Sequence, residues 1–490
     1  MHTITSPRER AAVLTGRLAG ALARRAGRGG GTALPGLVAG ALAPRLLEDR
    51  AAALGHGVVL VSGTNGKTTT THLLAAIARG SGLDIVSNTS GSNLERGLVS
   101  ALIARGGRAG GPDGSSLIGL FEVDEAVLPL LAPRLSPRVV VLLNLFRDQL
   151  DRYGEVDSVA EGWRRMLAGA GRPATLVLNA DDPSVALLAE EIEDEGGRVI
   201  RFGVEAPAGE GEDSAGSVAV DARFCRCGGS IRHDALLLGH LGPWRCDGCG
   251  RRRAAPELEA REVELGPGGA RFELRARLPG HPRERARVEL ELEGLHSVYN
   301  ALAAAAAAAA LGISSVAAAQ GLAAASPAFG RQERFCVGGR EVRMLLAKNP
   351  TGLTEVIRTV TARSAPGAAP HLLIALNDGV QDGRDTSWIY DADVEALARG
   401  PGAPARVVAS GLRAEDMALR LALAGVVPGR VERDLAAALD AALAAAPAGL
   451  PLTVIATYTA MLELREELAR RSGRAHYWER PAEPDGEGRP

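Results

Sequence analysis

The chain has 490 residues, 46% hydrophobic, 23% charged and only 3% aromatic, with a formal net charge of −2. That length allows about three domains, and the near-neutral balance argues against a general nucleic-acid binder. Arginines interrupt the N-terminal stretch at 8, 10, 17, 24 and 25, and no apolar run reaches the roughly 18 residues of a membrane span, so neither a transmembrane helix nor a cleaved secretory signal is predicted.

Residues 1–54 read as a basic, helical segment, most simply a solvated preface. From Gly57 the pattern changes. Val58-Val59-Leu60-Val61 is a short buried-strand run, followed by a Gly-rich turn and a helical pattern over 68–78. Further strand candidates lie at 117–123, 139–143 and 175–178, with helical stretches such as 158–168 between them. This alternation predicts a mainly parallel, doubly wound α/β sheet within a middle domain spanning 55–326. An interruption between about Gly203 and Pro256 leads through acidic, Gly-rich sequence into a cysteine cluster at about 222–255. Strands at 270–278 and 286–292 and an Ala-rich helix over 298–311 then resume the domain. With so few aromatics, its core has to be built from Ala, Val and Leu.

After Pro327 a second α/β series begins. Strands are predicted at 342–347, 371–376, 406–409 and 452–456, and helices at 353–362, 393–398, 414–424 and 460–471. They describe a separate Rossmann-like C-terminal domain over 327–478. The remaining 479–490, rich in Pro, Gly and acid, is expected to be disordered.

The basic residues are the first chemical signal. Lysine occurs only at Lys67 and Lys348, against 54 arginines. A compact ammonium kept in so Arg-biased a chain points to work that a planar guanidinium cannot do. Lys67 lies in Gly63-Thr64-Asn65-Gly66-Lys67-Thr68-Thr69, between a buried strand and a helix. There the backbone N–H groups and the helix N-terminus can cradle phosphate, Lys67 can reach the β/γ oxygens and Thr68 can sit on magnesium. Full phosphate-loop spacing wants Gly at position 61, where this chain has Val61, so the loop is a shortened variant.

Cys225-Arg-Cys227 and Cys246-Asp-Gly-Cys249, each pair followed by Gly, are four of the five cysteines. Two such pairs on turn sequences suit a tetrahedral structural zinc. The first pair is one residue shorter than the usual knuckle, and disulfides are the competing reading. Cys336, in Phe335-Cys336-Val337, reads as a buried core residue.

The shortened phosphate loop resembles that of the Mur ligases and folylpolyglutamate synthetases, which use ATP and magnesium to make amides through an acyl phosphate. Other blocks follow in that order: Phe121-Glu122-Val123-Asp124-Glu125-Ala126, Gly294-Leu295-His296-Ser297-Val298-Tyr299-Asn300, and Phe329-Gly330-Arg331. The resemblance implies that Glu122 binds magnesium, that Asn300 faces the adenine side and that Arg331 approaches the phosphates. It departs in two places. The carbamylated lysine of many Mur ligases has no counterpart between Lys67 and Lys348, and Gln149 stands where several relatives have a metal-binding His.

A zinc ribbon within such a middle domain resembles the MurT family, the synthase subunits of lipid II isoglutaminyl synthases. So do Lys348-Asn349-Pro350-Thr351-Gly352, Asn377-Asp378, the run from Asp382 to Asp391, and Thr457-Tyr458-Thr459-Ala460-Met461. Gly379-Val380-Gln381 departs from that family's usual Asn-Tyr-Ala type sequence. The resemblance implies amidation of the D-glutamate α-carboxylate of lipid II at the inner face of the cytoplasmic membrane, with ammonia from a GatD-type glutaminase subunit. It also implies that an aspartate of this chain completes the partner's Cys-His pair. Asp391 is the expected residue, with Asp385 and Asp382 as the other candidates. Two further readings stand beside this one: a stand-alone amino-acid ligase of the same superfamily, and a zinc-ribbon nucleic-acid-binding ATPase.

Overall fold

The computed structural model describes residues 6–25, 33–88, 92–104, 116–147, 156–206, 221–325, 332–362, 369–399, 405–447 and 449–473. The expected disordered tail at 479–490, Gln149 and Arg331 lie outside them. The chain divides into two compact units, with the break between Ser326 and Pro327.

The first unit is built on a nine-stranded sheet. Its strands are β1 (Val58–Ser62), β2 (Asp84–Ser87), β3 (Leu117–Glu122), β4 (Val139–Leu142), β5 (Thr175–Asn179), β6 (Arg198–Val204), then β9 (Leu258–Gly266), β10 (Gly269–Ala276) and β11 (Glu284–Leu290). The spatial order is β11-β10-β9-β6-β5-β4-β1-β3-β2. Every pairing from β2 across to β9 is parallel, and β9, β10 and β11 add an antiparallel meander at one edge. β3 lies on one side of β1 and β4 on the other, so the order reverses at β1. In an open parallel sheet this is where a ligand crevice forms, at the carboxyl ends of the strands.

Alternation of side chains sends Val59, Val61, Val139 and Val141 to one face and Val58, Leu60, Val140 and Leu142 to the other. Buried on both faces, these strands read as continuous apolar runs. The helices Lys67–Gly80, Leu295–Ala310 and Ser315–Ala323 cover the first face. In the second of these, Ala303 to Ala308 are all essentially inaccessible to solvent. Their small side chains let the helix backbone lie close to the sheet, which is how a core poor in aromatics reaches close packing.

The N-terminal helices belong to the opposite face. Ala12, Val13, Ala39, Leu46 and Leu47 join the core around Leu60 and Phe121, and the Gly36 N–H donates to Ser100 Oγ at 2.8 Å. The helices Pro7–Arg25, Leu34–Leu42 and Leu46–Ala52 are therefore folded onto the unit.

The cysteine-bearing insertion lies between β6 and β9. It contains a short antiparallel hairpin of β7 (Ile231–His233) and β8 (Trp244–Cys246).

The second unit has a six-stranded sheet of β12 (Glu333–Val337), β13 (Arg340–Leu346), β14 (His371–Ala375), β15 (Arg406–Ser410), β16 (Arg430–Glu432) and β17 (Leu452–Ala456), in the order β12-β13-β17-β14-β15-β16. All pairs are parallel except β12 with β13. Cys336 is exposed, which corrects the buried reading. β12 is an edge strand with two-residue alternation, and Glu333 and Phe335 take its inward positions. Two sequence ranges also shift. The helix expected over 393–398 is only Ala396–Arg399, and a 3-10 helix, Ser387–Asp391, precedes it.

Glu333 accepts two hydrogen bonds from Arg465, at 2.7 and 3.0 Å, with both side chains buried. The pair ties β12 to the helix Tyr458–Arg471. Removing one partner strands a buried charge, so Arg465→Ala is expected to cost about 3 to 5 kcal/mol of stability. Urea unfolding measures this, and a loss below about 1 kcal/mol would contradict a buried pair.

Candidate active site and metal centre

The phosphate loop leaves β1 at Ser62 and ends at the helix starting with Lys67. Both of its glycines are required by geometry. Gly63 has φ 143° and Gly66 φ 93°. A Cβ on Gly63 would come within 2.8 Å of Leu143 Cβ, and one on Gly66 within 2.1 Å of Asn300 Oδ1. Asn300, which also accepts from Thr70 Oγ1 at 3.4 Å, is thus packed onto the loop itself. Thr69 is buried and Thr68 partly exposed at the first helical turn.

The ammonium of Lys67 donates to Gly63 O at 2.6 Å, to Thr64 O at 3.4 Å and to Glu125 Oε2 at 3.0 Å. Glu125 is its counter-ion, a role the sequence did not signal. Glu122 ends β3, beside Val61 of β1. Its backbone N–H and C=O are both held by the Asn88 amide, at 3.0 and 2.9 Å. Glu122, Asp124 and Glu125 are all buried. Glu122 at the end of β3 and the partly exposed Thr68 at the first helical turn are oxygen ligands of the kind a hard divalent cation such as magnesium takes.

Thr64 and Asn65 are clasped by the segment that follows β4. Thr64 N donates to Asn144 O at 3.0 Å. Asn65 N donates to Asn144 Oδ1 at 2.9 Å, and Asn144 Nδ2 donates back to Asn65 O at 3.1 Å. Phe146 N donates to Thr64 Oγ1, which in turn donates to Phe146 O, both at 3.1 Å.

This clasp rests on two fully buried aspartates after β5. Asp182 accepts from Leu145 N at 2.8 Å and caps the next short helix through Ser184 N and Val185 N. Asp181 accepts from Val204 N at 2.8 Å, from Tyr299 Oη at 2.7 Å and from Arg253. The cysteine insertion plugs into the same point. Trp244 Nε1 donates to Ala180 O at 3.0 Å, and the inaccessible His240 sets Nε2 3.2 Å from Asp182 Oδ2, its ring 4.6 Å from that of Phe146. Burial opposes a charged imidazole. The charge and hydrogen bond of Asp182, with Asp221 beyond, outweigh burial and hold His240 above the usual histidine value. Nearby His233 is pushed down to about 4, by burial first and then by His240.

The four sulfurs of Cys225, Cys227, Cys246 and Cys249 lie within 4.8 Å of one another. Contacts of 3.4 Å (Cys227 to Cys246) and 3.7 Å (Cys225 to Cys249) are too long for disulfides. They match the roughly 3.8 Å edge of a tetrahedral thiolate zinc site. Gly229 N and Gly248 N donate to Cys227 Sγ and Cys246 Sγ at 3.4 and 3.3 Å. Either glycine, given a Cβ, would press within about 3 Å of the other's Cα. Backbone and side-chain donation from Arg251 lowers Cys249 to about 6, favouring the ligating thiolate.

In the second unit the Rossmann-like blocks converge at the carboxyl ends of the strands. Asn377, after β14, donates its N–H to Thr457 Oγ1 at 2.9 Å and its amide to Thr459 Oγ1 at 3.0 Å, and accepts from Leu412 N at 2.9 Å. Asn349 Oδ1, after β13, accepts from Gly352 N at 2.8 Å. Asp382 is buried and accepts from Thr459 N at 2.8 Å and from the Thr459 hydroxyl, so it is a tie within the fold. Asp385 precedes the 3-10 helix, and its carboxyl is held low by the Ser387 hydroxyl first and then by Ser387 N, which donates at 2.8 Å. Asp391 is exposed at the end of that helix. Beside it the half-exposed ring of Tyr390 lies under Arg420, whose guanidinium also holds Ile389 O and Ala392 O at 3.0 and 2.8 Å.

Comparison with known proteins agrees with this geometry. Residues 61–224 match the Mur ligase middle domain and 346–461 the MurT ligase C-terminal domain. Over 456 residues the chain is 31% identical to the lipid II isoglutaminyl synthase (glutamine-hydrolyzing) subunit MurT of Staphylococcus aureus (strain COL), covering 92% of this chain and 96% of that one. The chain belongs to the MurT family. The family's subunit from Streptococcus pneumoniae is 32% identical over 472 residues, covering 94% and 96%. Among solved structures, a pseudomurein peptide ligase type C from Methanothermus fervidus superposes with a TM-score of 0.62 at 21% identity, over 84% of this chain and 78% of that one. MurF ligase from Thermotoga maritima in complex with ADP gives 0.60 at 15%, over 88% and 84%. These two share the fold. As a member of the MurT family with a Mur ligase middle domain, the chain is an ATP-dependent ligase of the Mur type.

Two outcomes follow for this MurT-family chain. His240 titrates above its unfolded value of about 6.5, so its pair with Asp182 stabilises fully below that pH and the contribution is lost as pH rises through the folded-state value. The melting-temperature gap between wild type and His240→Gln should therefore be widest near pH 6 and narrow toward pH 9, roughly. A gap constant across that range would contradict the charged pair. In the ribbon, Cys246→Ser should lower zinc content and melting temperature together, because metal binding by such a site is folding free energy. Elemental analysis finding no zinc in the native wild type would rule the site out.

Proposed function

We propose that this protein amidates the α-carboxylate of D-glutamate in the lipid II stem peptide. The observation that carries the reading is a phosphate loop, with its lysine and buried carboxylates, in a chain that matches a MurT subunit over 92% of its length. Four of its five cysteines form the sulfur cluster, and Cys336 lies on an edge strand. The γ-phosphoryl group of ATP passes to a carboxylate oxygen, and ADP leaves. Ammonia then attacks the acyl carbon, phosphate departs, and the nitrogen loses a proton to give the amide.

Phosphoryl transfer is chiefly positioning and charge stabilisation. Backbone N–H groups of 63–69 cradle the phosphates. Lys67 exchanges Glu125 for phosphate oxygens, with Asn300 on the nucleotide side. Glu122 and Thr68 would hold magnesium, which would supply charge neutralisation of the phosphates. The four cysteines would hold zinc in a structural role.

Free ammonia is scarce near neutral pH, so the reading includes a GatD-type glutaminase partner, and with it a reaction at the inner face of the cytoplasmic membrane. Asp391 is the residue proposed to orient the partner's catalytic histidine. Its exposure supports this, and the buried tie of Asp382 leaves Asp385 as the remaining alternative. Asp391 closes a 3-10 helix that ends well before Ala396–Arg399, so capping the next helix does not account for it. The exposed Leu412, Leu419, Leu423 and Val427 of the same unit offer apolar surface for a partner.

Lys67→Ala should lower ADP release with lipid II by about a hundredfold or more, and undiminished release would sink the phosphate-site assignment. Asp391→Asn should leave ammonium-driven amidation near wild type while glutamine-driven amidation falls by about a hundredfold or more, the size of effect seen when a triad's orienting acid is lost. Equal glutamine-driven rates in variant and wild type would move the role to Asp385.

A further inference from the structure

The first helix, Pro7–Arg25, is built inside out. Ala12, Gly16 and Gly20, four residues apart, face the fold, and Gly16 is close enough to the second helix that a Cβ there would meet Pro35 O at 2.7 Å and Ala39 Cβ at 3.1 Å. The opposite side, where a surface helix normally carries polar groups, presents Leu14, Leu18 and Leu22 at 59%, 62% and 64% exposure. The second helix, Leu34–Leu42, repeats the inversion: Gly36 and Ala39 are buried while Leu37 and Leu42 are exposed. Small residues inside let the helices pack closely, which leaves the large apolar side chains to solvent.

The polar residues of this region carry one sign. Residues 1–47 contain seven arginines and a single acid, Glu9, in a chain whose net charge is −2. Arg8, Arg10 and Arg45 are exposed, and Arg8 Nε donates to Leu42 O at 2.7 Å, which sets a guanidinium at the edge of the leucines. An apolar stripe flanked by arginines is the pattern of helices that lie in a bilayer interface. None of the helices in the described residues is long and apolar enough to cross a membrane.

We infer that this face seats the protein on an anionic bilayer surface, with Leu14, Leu18 and Leu22 entering the acyl boundary and the arginines meeting phosphate headgroups. Charge selects this occupant. A symmetric contact with a second copy would bring the same arginines against each other, whereas anionic headgroups attract them. The inference rests on the proposed lipid-linked substrate for its purpose, since a soluble ligase acting on such a molecule has to work at the membrane surface.

The test is cosedimentation of the full-length protein with phosphatidylglycerol vesicles and, separately, phosphatidylcholine vesicles. Wild type should bind the anionic vesicles, and binding should weaken with salt and on phosphatidylcholine. The triple variant Leu14→Gln, Leu18→Gln, Leu22→Gln should bind them about tenfold less or weaker, with melting temperature and ATP affinity unchanged because the three side chains are exposed. Arg10→Gln with Arg45→Gln should reduce the salt dependence. The inference is overturned if wild type ignores anionic vesicles, if the triple variant binds them equally, or if that variant keeps vesicle binding and loses the glutaminase partner. Amidation of detergent-dispersed lipid II separates this from the functional reading. The triple variant should match wild type there, and inactivity of both would count against the reaction while leaving the vesicle result standing.

Discussion

Two adjacent aspartates with no solvent exposure hold the nucleotide unit together. Asp181 and Asp182 follow β5 and accept from four separate parts of the chain: the clasp at Leu145, the strand at Val204, the helix at Tyr299, and the cysteine insertion at Arg253, whose His240 also lies 3.2 Å from Asp182 Oδ2. Buried carboxylates are tolerated only when fully satisfied. Each of those segments is therefore held in register with the others, and the phosphate loop inherits that precision through Asn144 and Phe146. The same pairing ties the cysteine insertion to the phosphate loop: its fold brings His240 and Trp244 onto the segment that supports the clasp.

Much of this was legible beforehand because it rests on local sequence. The strand, glycine turn and helix around Lys67 follow from apolar runs and from glycines that have to adopt positive φ. The cysteine pairs announce their cluster by spacing. The interactions that complete the site are long-range, and no local pattern encodes them. Glu125 lies one residue past an aspartate in an acidic strand end, and only the β1 to β3 pairing brings that strand end up to Lys67. His240 sits in Leu238-Gly239-His240-Leu241-Gly242 with no spacing that suggests Asp182, 58 residues earlier in a different element. Cys336 was misread because a three-residue window cannot tell which side of an edge strand faces inward. The helix expected over 393–398 failed similarly, since the Trp388-Ile389-Tyr390-Asp391 run takes the 3-10 form and Arg420 holds its carbonyls.

Chemically the two units have different work. The first offers N–H groups, one ammonium, hydroxyls and carboxylates, the inventory of phosphoryl transfer. The second has the ends of β14, β15 and β17 joined through Asn377, Thr457 and Thr459, and an exposed carboxylate on a turn braced by a buried arginine. Activating a carboxylate and supplying an amine are separable problems, and a ligase that uses ammonia needs the second solved by a source outside its own phosphate site. Arg420 holds the carbonyls on either side of the turn that ends in Asp391, which supports the role proposed for that carboxylate.

The most direct measurement of the whole account follows one nitrogen. Lipid II, ATP and glutamine labelled with nitrogen-15 at the side-chain amide are incubated with this protein and the proposed GatD-type glutaminase partner, and the product is examined by mass spectrometry with fragmentation of the stem peptide. The account predicts the label in a new amide on the D-glutamate α-carboxyl, one ADP per amide formed, and no label when the partner is omitted. A product extended by a whole amino acid, or amidation from glutamine by this chain alone, would contradict it.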